Sequence, residues 1–334
     1  MKEAMWYKKL SDERVRCNLC NHRCMVADGE IGVCGVRENK NGTLYSLVYG
    51  KVIATHVDPI EKKPLFNFLP GTRAFSIATA GCNLKCTHCQ NADISQMPLD
   101  HGRIMGQDAS PADIVSAAEK SGCESIAYTY TEPTIFMEYA YDIAKLARER
   151  GIKNVFVTNG YMTEEALRAI QPYLDAANVD LKGFTEDHYQ EICGARLKPV
   201  LDTIRLMKEL GIWVEVTTLI IPTVNDSDEI LKNIAEFILS VGPETPWHVS
   251  RFHPTYRMLD VPSTPVQSVV RARQIGLDAG LRYVYSGNVP GDDGESTYCY
   301  NCGKVVIPRY GYQLGKTHIK DSKCEYCGTE MDVV

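Results

Sequence analysis

Between residues 74 and 279 the chain alternates six times between a short strand-like run and a longer amphipathic one. The strand-like runs cover 74–79, 125–130, 154–158, 177–181, 213–220 and 247–252. Successive strands joined by helices pair in parallel through right-handed crossovers, so this pattern restricts the chain to an α/β fold with a parallel sheet. The first helix has a capped start at Ser110-Pro111-Ala112-Asp113, followed by the apolar stripe Ile114, Val115, Ala117 and Ala118. Ile135, Phe136, Tyr139, Ala140, Ile143 and Leu146 form the second stripe, which Gly151 can end. Further helices are expected over 163–173, 199–210, 228–241 and 265–279. Six such units make an open sheet or a partial (β/α)6 barrel, and in both the functional side chains gather at the carboxyl ends of the strands.

Short, cysteine-rich stretches flank this region. Residues 1–50 and 291–334 read as small metal-binding lobes, 51–72 as a linker and 73–290 as the barrel. Eleven of the thirteen cysteines fall in three close-spaced sets, which is how metal ligands are delivered. An export signal and a membrane-length apolar run are both missing from the sequence, so a cytoplasmic protein with reduced thiols is expected. The formal charge of −6 gives no reason to expect nucleic-acid binding.

The central set is Cys82-Asn83-Leu84-Lys85-Cys86-Thr87-His88-Cys89, directly after the first strand of the barrel. Three thiolates are one short of a closed zinc site, for which His88 would have to be the fourth ligand. On a [4Fe–4S] cube three cysteines leave one iron without a protein ligand, open to a small molecule.

This loop resembles the signature of the radical S-adenosylmethionine (SAM) superfamily. The resemblance implies a TIM-like partial barrel and a cluster on Cys82, Cys86 and Cys89, whose unique iron is chelated by SAM. His88 stands where the family commonly has an aromatic residue against adenine. Tyr130-Thr131-Glu132-Pro133 takes the place of the usual Gly-Gly-Glu-Pro, and Glu132 would accept a hydrogen bond from the SAM ammonium. Asn159, Asp180 and Lys182 lie in segments that look like those flanking SAM in glycyl-radical-enzyme activases. Arg251 and His253 occupy the region where that family keeps a His near SAM, which makes them the candidate catalytic pair. An electron donor such as flavodoxin or ferredoxin is implied. So is a substrate, either a glycine backbone in a protein or a small molecule or nucleotide. Over nearly its whole length the chain resembles the radical SAM member of the AmmeMemoRadiSam system, a branch near the pyruvate formate-lyase activating enzymes. Cys17 to Arg37, Asp58-Pro59-Ile60-Glu61-Lys62-Lys63-Pro64-Leu65 and 286–291 carry that likeness. A reading from another class, a zinc-ribbon adaptor for protein or RNA, needs neither the three-cysteine loop nor SAM.

Two knuckles about twenty residues apart, Cys299-Tyr300-Asn301-Cys302 and Cys324-Glu325-Tyr326-Cys327, have the form of a zinc ribbon whose plain role is to cap the fold. Cys17, Cys20, Cys24 and Cys34 also offer four thiolates, for zinc or for an auxiliary cluster, with zinc slightly preferred. Cys123 and Cys193 stand alone and read as small buried apolar residues.

Overall fold

The computed structural model describes residues 1–289 and 291–334. Pro290, the expected end of the barrel and part of the segment 286–291, lies outside the described residues. One sheet holds eight strands: β1 (Ala54–Pro59), β2 (Arg73–Ala78), β3 (Ser125–Tyr128), β4 (Lys153–Thr158), β5 (Ala176–Asp180), β6 (Trp213–Ile220), β7 (Trp247–Arg251) and β8 (Val284–Gly287). They lie side by side in chain order. Strands β2 to β8 are parallel, and β1 runs antiparallel to β2. Because β1 and β8 remain the two edges, the sheet is open, as a partial barrel requires.

Helices α1 (Pro111–Lys120), α2 (Met137–Glu149), α3 (Glu164–Ile170), α4 (Leu197–Glu209), α5 (Asp228–Val241) and α6 (Val266–Asp278) make the six crossovers. Ser110 and Asp113 form the expected capping box, and Thr163 and Ser227 cap α3 and α5 with their hydroxyls. Alternation along the strands divides the core. Ile77, Phe156, Val179, Val216 and Val249 pack outward with helix residues such as Ile143, Ile204 and Ile234. Ala74, Ala127, Val155 and Ala176 face inward, onto Ile60, Leu65 and Phe68.

Three expectations change. β3 stops at Tyr128 instead of continuing to 130, because Tyr130 adopts φ 62° and turns the chain off the sheet. A seventh parallel strand, β8, closes the last crossover; at four residues it is too short to declare itself by pattern. The stretch 51–72 is more than a linker: it supplies β1, an edge strand with little buried alternation, and then folds under the sheet.

That fold closes the amino end of the barrel. The Phe66 and Asn67 amides each donate to Glu215 at 2.9 Å, and Trp213 Nε1 donates to the same carboxylate at 3.1 Å. Arg309 of the C-terminal lobe donates to the Phe66 carbonyl at 2.6 Å, and Val334 pairs with Asn67. The N-terminal lobe sits at the opposite end, where Asn21 Nδ2 donates to the Met162 carbonyl at 2.6 Å and His22 Nε2 lies 2.7 Å from the Asn83 carbonyl. No helix among the described residues is long and apolar enough to cross a membrane.

Candidate functional site

The cysteine loop leaves the carboxyl end of β2, at the end of the barrel that carries the N-terminal lobe. Its backbone is held from outside: Lys85 and Thr87 amides donate to the Cys193 and Ile192 carbonyls at 2.9 and 3.0 Å, and the Arg257 amide donates to the Thr87 carbonyl at 3.0 Å. Gly81 enters the loop at φ 103°, and a Cβ there would lie 2.7 Å from Val36 Cγ1. No other residue fits this close approach without moving the N-terminal lobe.

Around the thiols stand groups from two further strand ends and from two helical turns. Asn159, just past β4, donates to Asn83 Oδ1 at 2.8 Å and has its amide nitrogen 3.8 Å from Cys82 Sγ. Ser95 Oγ lies 3.2 Å from Cys89 Sγ. Lys182, just past β5, donates to Asp180 at 2.9 Å. Burial opposes its charge, yet Asp180 and the Cys86 and Cys193 thiols outweigh that and push its pKa well up. Burial also raises the Cys82 and Cys89 thiols, while a hydrogen bond with Cys193 lowers Cys86. Cys193, given no role from the sequence, is therefore a fourth thiol of this site, fully buried and brought there by the turn of helix over His188–Cys193. Its position 104 residues or more beyond the loop leaves no sequence signal.

The other expected SAM contacts are placed as follows. Glu132 is buried; its Oε1 accepts from Thr134 N (3.0 Å), Thr134 Oγ1 (2.6 Å) and Thr158 Oγ1 (2.7 Å), and its Oε2 from the Asn159 amide (2.8 Å). Oε1 is thus filled and Oε2 keeps one acceptor direction. Burial raises the Glu132 pKa despite these four donors. His88 is buried with no partner at Nδ1, and burial, with Lys182 and His188 nearby, pulls its pKa to about 3. Arg251 is tied into the fold by a 2.6 Å bond to the Thr264 carbonyl, and exposed His253 bonds to Ser263 Oγ at 3.1 Å. Neither hydrogen-bonds to the cysteine loop among the described residues.

Do these residues suit the cluster and SAM that the motif implies? A zinc ion with four sulfurs at about 2.3 Å would bring those sulfurs to about 3.8 Å of one another. Among the described residues no set of three from the loop has its ligand atoms within 4.8 Å, whereas the corners of an iron–sulfur cube stand wider apart. Buried polar atoms without partners surround the loop: Asn83 Nδ2, Thr87 Oγ1, His88 Nδ1 and both nitrogens of His188. Such orphans are costly unless a ligand meets them, so the residues present fit a bound group.

Below the loop, inside the barrel, lies a network the sequence did not reveal. Asp58 accepts from Lys63 (2.6 Å), Lys62 (2.9 Å), Ser76 Oγ (2.9 Å) and Tyr130 OH. Lys63 is only 1% exposed, its ammonium 4.6 Å over the Tyr130 ring. Burial pulls Lys63 down to about 8 against the pull of Asp58. For Asp58 burial works against the charge, but the bonds from Lys63, Tyr130 and Lys62 prevail and hold it below the usual carboxylate range. A depressed carboxylate stabilises the fold at pH above its unfolded pKa, roughly 4, and loses that contribution as pH falls through the folded value. The stability gap between wild type and Asp58→Asn is therefore expected to be constant from pH 5 to 7 and to close in acid (roughly pH 4 downward). Urea titrations across that range would show it; a gap that widened in acid would contradict the charge assignment.

The terminal lobe holds the tightest set of possible metal ligands among the described residues. Cys299, Cys302, Cys324 and Cys327 bring their sulfurs within 4.8 Å of one another, with Cys299–Cys327 at 3.6 Å and Cys302–Cys324 at 3.9 Å. Those distances suit one tetrahedral ion. Each knuckle turns on a positive-φ glycine, Gly303 or Gly328, whose amide donates to the first cysteine's carbonyl at 2.8 Å. Cys299 and Cys324 pack with Phe66, Tyr283 and Tyr285 at the amino end of the barrel, so an ion held there would brace the plug described above. Cys299→Ser is expected to lower the melting temperature by several degrees while leaving the acid-labile sulfide content unchanged. Equal melting curves would show that the ribbon does not brace the barrel.

A groove of about 730 Å³ lies elsewhere, among charged side chains such as Arg23, Glu186 and Arg196. It holds none of the cysteines.

Comparison with known proteins agrees with this geometry. An uncharacterized protein of Methanocaldococcus jannaschii is 48% identical over 337 residues, covering 100% of both chains. The pyruvate formate-lyase-activating enzyme of Clostridium pasteurianum is 26% identical over 182 residues, 52% of this chain and 71% of that one. A radical SAM methyltransferase structure from Sphaerobacter thermophilus superimposes with a TM-score of 0.51 at 15% identity, covering 66% of this chain and 67% of that one, a likeness of fold. The sequence model of the Radical SAM superfamily matches residues 76–238, from within β2 into α5. With the cysteine loop inside that span and opening from the first parallel strand, this chain belongs to the radical SAM superfamily.

Proposed function

We propose that this enzyme cleaves SAM reductively and abstracts hydrogen from a protein substrate, as an activating enzyme does. The observation that carries the reading is the convergence of Asn159 and Lys182, from two other strand ends, on the three-thiol loop. The group bound at Cys82, Cys86 and Cys89 would supply one electron, giving methionine and a 5′-deoxyadenosyl radical. The chain's own part is to hold and orient. Lys182, steadied by Asp180, presents a positive charge suited to the SAM carboxylate. The free acceptor direction of Glu132 Oε2 suits the ammonium. Buried, neutral His88 beside Cys89 offers a flat face for adenine, and Asn159 fixes the Cys82 end of the loop. Arg251, the last residue of β7, and His253 just beyond it stand at the rim, where a substrate would arrive. The barrel walls keep water from the radical, which is the protein's main duty in such chemistry.

The relative from Clostridium pasteurianum, named for activating pyruvate formate-lyase, supports a protein substrate, and the segments 17–37, 58–65 and 286–291 support the AmmeMemoRadiSam branch. A low-potential flavodoxin or ferredoxin would deliver the electron, and zinc suits the terminal ribbon. The test is anaerobic reconstitution with iron and sulfide, reduction, addition of SAM, and chromatography of 5′-deoxyadenosine. Product is expected from the native protein and at least 100-fold less, on the order of the blank, from Cys86→Ala. Zinc uptake by the loop in place of a cluster would sink the reading.

A further inference from the structure

We propose that His188 is a further SAM-binding residue, its imidazole taking the ribose hydroxyls of SAM; the inference rests on the SAM reading of the site given above. His188 opens the helical turn His188–Cys193, and that turn is braced on the cysteine loop. The Lys85 and Thr87 amides donate to the Cys193 and Ile192 carbonyls at 2.9 and 3.0 Å. The turn is of the wide π type, which is rare in proteins and frequent at functional sites. The His188 amide donates to Thr185 Oγ1 at 3.1 Å, and the ring packs against Gly183, where a Cβ would lie 2.7 Å from His188 Cδ2. A larger residue at 183 would displace the ring, so the glycine next to Lys182 is what admits it.

The ring is 7% exposed, and among the described residues neither Nδ1 nor Nε2 has a hydrogen-bond partner. A histidine buried for the fold alone is satisfied by the fold: His248, far from the loop, has its Nε2 2.7 Å from Glu215. Burial and then the charge of Lys182 pull the His188 pKa down to about 4, so at neutral pH the ring carries one N–H donor and one bare acceptor nitrogen. Lys182 and His188 both bear on His88 as well, which puts the three side chains in one neighbourhood. Buried polar atoms left unmet are costly, so the ring calls for a ligand group that both accepts and donates. Within SAM the carboxylate has Lys182, the ammonium has Glu132 and adenine has His88. The ribose diol is the polar part that remains, and a hydroxyl both donates and accepts.

The test uses the full chain, reconstituted with iron and sulfide and left unreduced, so that SAM binds without being cleaved. Equilibrium dialysis measures the affinity for SAM and for its 2′,3′-dideoxy analogue in the wild type and in His188→Phe, whose ring fills similar space. The wild type is expected to prefer SAM by about tenfold, the worth of a pair of modest hydrogen bonds. The variant is expected to bind SAM about tenfold more weakly and to prefer neither compound. Without SAM it is expected to melt about 2–4 °C above the wild type, since it lacks the two unmet nitrogens; a histidine serving only the fold would shift melting downward on replacement. A variant that keeps the wild-type preference overturns the proposal. Equal binding of both compounds by the wild type overturns it too, and leaves the SAM reading of the site standing. No binding of SAM by the wild type removes both. Should the phenylalanine variant fail to fold, His188→Met is measured in the same way, with the same loss of preference expected.

Discussion

Arg37→Met is expected to destabilise the folded chain by about 3–5 kcal/mol, the usual cost of leaving one member of a buried ion pair behind. Glu138, at the start of α2, is 0% exposed, and without Arg37 it keeps, among the described residues, only the Met5 amide, at 2.9 Å. Methionine nearly matches the arginine stem in volume, so the loss would be of charge and hydrogen bonding and hardly of packing. The double variant Arg37→Met/Glu138→Leu tests the cause. An apolar pair of similar size is expected to recover most of the loss, since it removes the stranded carboxylate. Urea unfolding of the three proteins, with equal slopes, would read the difference. A single variant within about 0.5 kcal/mol of wild type would mean that water or a proton reaches Glu138, and that the N-terminal lobe is less tightly seated than its burial implies.

Glu215→Ala should have an effect of similar size at the other end of the barrel. The carboxylate joins the Phe66 and Asn67 amides, Trp213 Nε1 and His248 Nε2, the last at 2.7 Å. Each buried donor left without an acceptor costs about 1–3 kcal/mol, so several together should cost about 4 kcal/mol or more, less what water entering the cavity restores. Glu215→Gln keeps one acceptor oxygen and should lie between wild type and alanine. Hydrogen exchange at the Phe66 and Asn67 amides gives a local reading: fast in alanine, intermediate in glutamine, slow in wild type. Unchanged exchange in the alanine variant would show that the plug is held by the Arg309 and Val334 contacts instead.

Both predictions rest on contacts that no reading of the sequence could supply. Arg37 and Glu138 are 101 positions apart, and Phe66 and Glu215 are 149 apart. Arg37 ends one of the segments that carry the family likeness, but nothing near it in the chain names Glu138 as its partner. Asp58 and Lys63 were visible as part of a segment but without a role, because Ser76 and Tyr130 complete their network from β2 and from beyond β3. Likewise Glu132 was legible as an acceptor, whereas the filling of its Oε1 by Thr134 and Thr158 was not.

What the sequence by itself determined is whatever depends on near neighbours: six helices and the capping box of the first, the strands between them, and ligand sets whose spacing in the chain is their spacing in the fold. Cys82, Cys86 and Cys89 share one loop, and each ribbon knuckle is a four-residue turn, so local geometry suffices. The tertiary structure alone decided which groups from distant strands meet that loop. It set Cys193 against Cys86, buried His88, tied Arg251 to Thr264, and gave the edge strands β1 and β8 their partners. The physical reason is that a side chain's desolvation and its hydrogen-bond partners are properties of the packed barrel, which brings together residues more than a hundred positions apart.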